Sequence, residues 1–93
     1  MSEYPVRNPI LAWREIGGET LIISPEDSRV HELNATASLV WKYADGTKTP
    51  DDIAGQLAAE FEVELEAARA DVAELIAALG EKHLLIEHET VKG

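Results

Sequence analysis

The sequence predicts an α+β domain, with a three-stranded antiparallel sheet at the N-terminal side followed by three helices in a winged helix-turn-helix-like arrangement. Three observations carry this. Gly17-Gly18 sits between two apolar-rich runs and reads as a tight hairpin turn, because both positions of such a turn need positive φ. At Asn34 the spacing of apolar residues changes from about two to about 3.6. Thr49-Pro50-Asp51-Asp52 is a strong helix start. Strands in a row followed by helices in a row give α+β architecture.

Residues Met1 to Pro9 are expected to form an irregular arm bounded by Pro5 and Pro9. Leu11–Ile16 and Glu19–Ser24 are the two hairpin strands. Their register stays open, since no single pairing puts Trp13, Ile16, Leu21, Ile22 and Ile23 on one face. Pro25-Glu26-Asp27-Ser28 is a second turn, and Val30–Leu33 a third strand with His31 and Leu33 on one side.

Asn34 is suited to cap the first helix, whose buried stripe is Ala37, Val40, Trp41 and Ala44. Asp45-Gly46 ends it. In the second helix Thr49 caps, Pro50 takes the first helical position and Asp52 closes a variant capping box; Ile53, Leu57 and Phe61 line its apolar face. Leu65, Ala68, Val72, Leu75, Ile76 and Leu79 mark a third helix ended by Gly80. Leu84-Leu85-Ile86 is expected to pack back on the core as a strand or extended tail, and the last residues to fray.

With 93 residues the chain has room for one domain, 1–93, and one modest core. Its apolar fraction of 45% argues for a folded domain. Eighteen acidic against 8 basic residues give a formal charge of −10, which opposes binding to nucleic acid or to an anionic membrane and favours basic partners. From Thr49 to Leu79 the acids are Asp51, Asp52, Glu60, Glu62, Glu64, Glu66, Asp71 and Glu74, and the lone base is Arg69. A helix-turn-helix with that field would be repelled by phosphate, so its shape is expected to read something other than DNA.

The absence of cysteine removes disulfides, thiolate metal sites and cysteine nucleophiles. His83 and His88 are five apart, a poor spacing for one helical face, and the histidines read as ordinary rather than as metal ligands. Asp51-Asp52 serves a helix N-terminus, and Glu60, Glu62, Glu64 and Glu66 read as a solvated face. The serines Ser24, Ser28 and Ser38 lack a nucleophile elbow, and Asp27-Ser28 lacks the context of an acyl-carrier prosthetic site. Neither catalytic residues nor a cofactor are expected. No apolar run approaches the roughly 18 residues needed to span a bilayer, and a cytoplasmic location follows by default.

Leu33-Asn34-Ala35-Thr36-Ala37, Val40-Trp41, Asp45-Gly46, Thr49 to Ile53, Phe61, Asp71-Val72 and Leu79 to Leu85 occur in an order that resembles the PqqD-like family, also called RiPP recognition elements. Trp13 to Gly17 and Leu21 to Pro25 fit the same family's strands, so the resemblance covers about residues 8 to 87. It implies a non-catalytic peptide chaperone. A precursor's leader peptide would add as a strand in a groove between the third strand and the third helix, and be presented to a modifying enzyme such as a radical-SAM protein.

Carried over by position, the strand edge is Arg29, Val30, His31, Glu32 and Leu33, and the opposite wall is drawn from Arg69, Val72, Ala73 and Ile76. Val72 and Ile76 also lie on the buried stripe, and Leu33 anchors the sheet while Asn34 caps the helix. The alternative within the family is a scaffold that binds only a partner enzyme. Members dedicated to pyrroloquinoline quinone biosynthesis tend to have an acidic residue after the Leu and no Trp at the Trp41 position, so this chain resembles the broader family; related pathways make lasso peptides and peptides altered by radical-SAM enzymes. A free sheet edge is also open to self-pairing, which puts a homodimer among the expectations.

Overall fold

The computed structural model describes residues 3–25 and 28–89. In chain order these form β1 (Glu3–Arg7), β2 (Ala12–Ile16), β3 (Glu19–Ser24), β4 (Arg29–Leu33), α1 (Ala35–Tyr43), α2 (Pro50–Phe61), α3 (Leu65–Glu81) and β5 (Leu85–Glu89). The expected α+β arrangement of three antiparallel strands and three helices is present. The expected turn at Pro25–Ser28 falls partly on Glu26 and Asp27, and the expected fraying on 90–93, both outside the described residues.

The three-stranded sheet has the order β2-β3-β4. Gly17 (φ 59°) and Gly18 (φ 86°) make the two-residue turn, and Ile16 faces Glu19 directly across it. The pairing settles the register that the sequence left open. Trp13 lies opposite Ile22, and Ile22 opposite His31, so these share the core-facing side with Thr20 and Leu33. Ile16, Leu21, Ile23 and Val30 occupy the other side.

The arm expected at residues 1–9 is in fact a strand over Glu3–Arg7, antiparallel to β5 in a second, two-stranded sheet. Its alternation is masked in sequence by Pro5. Proline at an edge costs a strand little, and the Pro5 carbonyl still accepts from the Gly46 amide at 3.1 Å. Gly46 is required there twice over: its φ is 85°, and a Cβ would meet Val6 Cγ2 at 3.2 Å.

Asn34 caps α1 through Oδ1, which accepts from the Ala37 amide at 2.9 Å. Thr49 and Asp52 form the full capping box on α2, with Pro50 at its start. The core joins Ile22 and Leu33 of the sheet to Val40, Trp41, Ile53, Leu57, Val72, Leu79, Leu84 and Leu85. One buried polar chain crosses it: Thr20 Oγ1 donates to Ser38 Oγ at 2.8 Å, and Ser38 donates to the Leu33 carbonyl at 3.2 Å. That ties β3, the end of β4 and α1 together without an unpaired hydroxyl.

Two expectations need correction. Phe61 is not in the core; it is 40% exposed. It is the last residue of α2, and Glu62 in the left-handed conformation (φ 55°) turns the chain away immediately after it. The third helix does not end at Gly80. It runs to Glu81, and the left-handed residue that reverses the chain is His83 (φ 61°), with the Leu84 amide donating to the Leu79 carbonyl at 2.9 Å. That reversal is what buries Leu84 and Leu85.

Candidate peptide-binding edge and groove

Among the described strands β4 pairs with β3 alone, so its other edge is open. The ladder fixes which groups face outward. Residues flanking a two-residue hairpin turn form a hydrogen-bonded pair, and such pairs alternate along an antiparallel ladder. Ile16 and Glu19 are that first pair, so Glu19, Leu21 and Ile23 direct their main-chain groups to β2. Thr20, Ile22 and Ser24 then direct theirs to β4, where they meet Leu33, His31 and Arg29. Val30 and Glu32 are left with N–H and C=O pointing away from the sheet: two donors and two acceptors on the open edge.

The side chains alternate the other way. Val30 (61% exposed) and Glu32 project from the outer face beside Ile23 and Leu21. His31 is half-buried on the face turned to the helices. An open cleft of about 590 Å³ lies between the start of β4 and the end of α3, lined by Ser24, Arg29, Val30, His31, Glu81, Lys82 and His83. A second, of about 390 Å³, shares Glu81 and follows α3 past Gly80, Ala77 and Ile76 to Leu85.

The nine residues expected at the site are thus distributed unevenly. Arg29, Val30 and His31 line the first cleft and Ile76 the second, while Glu32 is exposed on the edge between solvent and sheet. Leu33 and Val72 are core residues, 8% and 1% exposed, and act by holding β4 and α3 in place. Ala73 is exposed on α3, and Arg69 sits near the N-terminus of α2 with its Nε 3.6 Å from Asp51 Oδ1.

Ser24, Ala77, Gly80, Glu81, Lys82, His83 and Leu85 also line these clefts and were not among the residues expected from sequence. A helical signal for part of this set existed: Ala77 follows Ala73, and Gly80 follows Ile76, at i+4. Lys82 and His83 had none, because their place depends on the helix running past Gly80.

Among the described residues no group of His, Asp and Glu is placed to hold a metal ion, and no helix is long and apolar enough to cross a membrane.

The geometry has clear counterparts. The solved structure of TbiB1 in complex with the TbiA(beta) leader peptide superposes with a TM-score of 0.77 at 22% identity, covering 95% of this chain and 99% of that one. The solution structure of the PqqD truncation of Methylobacterium extorquens PqqCD, described as a functional and stand-alone RiPP recognition element, gives 0.71 at 25% identity over 88% of this chain and 87% of that one. In sequence, the PqqA binding protein of Xanthomonas oryzae pv. oryzae is 43% identical over 65 residues, 70% of this chain and 68% of the relative. Residues 19–85, from β3 through the start of β5, match the family described as Coenzyme PQQ synthesis protein D (PqqD), and the chain belongs to that family.

Proposed function

We propose that this protein is a peptide-recognition module: it binds the leader of a ribosomally made precursor along β4 and holds it for a separate modifying enzyme, performing no chemistry itself. The observation that carries the reading is the open β4 edge, with Val30 and Glu32 offering main-chain groups beside clefts that run along α3. A peptide laid there completes a fourth strand, pairing backbone to backbone and placing alternate side chains toward α3. Main-chain pairing supplies affinity with little regard to sequence, and the clefts around His31, Lys82 and Ile76 supply selection. Membership of a family whose relatives are named for binding PqqA, and a fold shared with a structure holding a leader peptide, support the same reading. The enzyme served is of the kind that alters precursor peptides, a radical-SAM protein among them.

The test is titration calorimetry of the full chain with the synthetic leader of the short precursor encoded beside its gene. One-to-one binding with a Kd of about 10 μM or tighter, near −7 kcal/mol, and none to a scrambled leader, is the expected result. Equal affinity for both peptides, or no binding to either, overturns the reading.

A further inference from the structure

Residues 60–66 read Glu-Phe-Glu-Val-Glu-Leu-Glu, an unbroken alternation of acidic and large apolar side chains. In sequence this looks like a solvated acidic face. In the structure it is the end of α2, the turn and the start of α3, and the apolar members are not buried: Phe61 is 40%, Val63 41% and Leu65 44% exposed. The turn is held in shape by the left-handed Glu62 and by the Val63 amide donating to the Ala58 carbonyl at 3.3 Å. Phe61 also forms one side of a recess of about 160 Å³, with Leu39 and Tyr43 of α1 on the other. Tyr43 is fixed by its hydroxyl donating to Glu60 Oε2 at 3.4 Å.

An exposed apolar patch rimmed by charge is the anatomy of a protein interface. Along the turn itself the charge has one sign, while Lys42 stands on the α1 side of the recess. From Thr49 to Ala68 the chain has no Lys or Arg, while the exposed Glu60, Glu62, Glu64 and Glu66 alternate with the three apolar residues. The complementary surface is an apolar knob ringed by Lys and Arg, because a rim of like charge on the partner would repel. None of the residues of this patch lines either cleft beside β4. A peptide held on β4 therefore leaves it free.

We propose that the α2–α3 turn, centred on Phe61, Val63 and Leu65, is the docking surface for the modifying enzyme, which presents a basic-rimmed apolar site to it. The proposal rests on the reading that the chain hands its peptide to such an enzyme. It separates the two tasks: one edge of the protein holds the substrate, and the turn holds the catalyst.

The test measures two affinities for the full chain, one for the purified modifying enzyme encoded beside its gene and one for the leader peptide. Phe61→Ser/Val63→Ser should weaken enzyme binding at least tenfold and leave leader affinity within twofold. Glu62→Lys/Glu64→Lys, which removes no apolar group, should weaken enzyme binding at least fivefold at low salt and less at high salt. Far-ultraviolet circular dichroism checks that both variants are folded. Enzyme affinity within twofold of wild type in both variants overturns the proposal, as does a wild-type chain that does not bind the enzyme. A wild-type dimer that Phe61→Ser/Val63→Ser disperses in sedimentation also overturns it, by assigning the patch to self-association. If the enzyme binds through the turn but no leader is bound, the docking surface stands and the peptide-binding reading falls.

Discussion

Arg7 Nη1 donates to the carbonyl of Trp41 at 2.8 Å, and to that of Lys42 at 2.9 Å. These are carbonyls of the last turn of α1, where that of Trp41 also accepts from the Ala44 amide at 3.2 Å. A guanidinium there satisfies them and places positive charge at the negative end of the helix dipole. The same guanidinium lies 5.2 Å from the ring centroid of Trp13. One side chain of β1 thus joins the two-stranded sheet to the first helix and to the hairpin.

Arg7→Ala should lower stability by about 1–2 kcal/mol, a charged hydrogen-bond donor lost from one part-buried and one exposed carbonyl, measured by urea unfolding. Arg7→Lys should recover only part of it, because an ammonium cannot stay over the Trp13 ring while it reaches both carbonyls. A change below about 0.3 kcal/mol for Arg7→Ala would mean that water caps the helix equally well.

Trp41 is fully buried and meets Trp13 edge-to-face at 5.9 Å and 84°. Trp41→Ala should cost about 3–5 kcal/mol, the range for a large aromatic removed from a core. Trp41→Phe should cost much less than Trp41→Ala. Trp41 Nε1 has no hydrogen-bond partner among the described residues, so the phenyl ring gives up volume but no hydrogen bond. Phe61→Ala should fall near 1 kcal/mol or below, as expected of a side chain exposed at a helix end. Thermal melts of the three variants give the ranking directly.

The contrast between Trp41 and Phe61 shows what the sequence disclosed and where it stopped. Both fall on the apolar stripe of their helices, and periodicity treats them alike. Trp41 lies mid-stripe, where sheet and helices close over it; Phe61 is terminal, and whether the next element covers a terminal residue is decided by the turn. Local signals with their own chemistry were legible: Asn34, the Thr49–Asp52 box and Gly17-Gly18 are all used as their residue types predict. Non-local pairing was not. β1 and β5 are partners from opposite ends of the chain, and neither alternates cleanly alone. For the candidate site, the resemblance pointed to the β4 edge, while the cleft around Lys82 and His83 depends on where α3 stops.

Asp45 Oδ1 accepts from the Thr47 hydroxyl at 2.6 Å and from the Thr47 amide at 3.0 Å. The hydroxyl bond first, then the amide bond and Lys48, hold its carboxyl below the ordinary value of 3.8. A carboxylate depressed in the folded state stabilises the fold above its unfolded pKa, and that contribution is lost as pH falls through the folded value. Thr47→Ala, which removes the hydroxyl donor, should therefore be less stable than wild type at about pH 6, with the gap narrowing below about pH 4. Urea unfolding of both proteins across that range checks the sign; a gap that widens in acid would show that Thr47 acts otherwise than through Asp45.

The open edge of β4 makes the sharpest prediction. Proline removes one main-chain N–H and nothing else that an edge strand needs, so its effect depends on where that N–H points. The ladder directs those of Val30 and Glu32 to the open edge and those of Arg29 and His31 toward Ser24 and Ile22 of β3. Val30→Pro and Glu32→Pro should therefore leave the domain folded and weaken leader binding at least tenfold each. Arg29→Pro and His31→Pro should instead lower stability, His31→Pro more so because it lies in the interior of the ladder. Val30→Ala and Glu32→Ala keep the N–H and should cost less affinity than the corresponding prolines, since strand addition uses the backbone. The measurement pairs a thermal melt with a leader titration for each variant. If Val30→Pro and Glu32→Pro are folded and bind the leader as wild type does, the peptide does not add to this edge, and it must lie wholly in the clefts along α3.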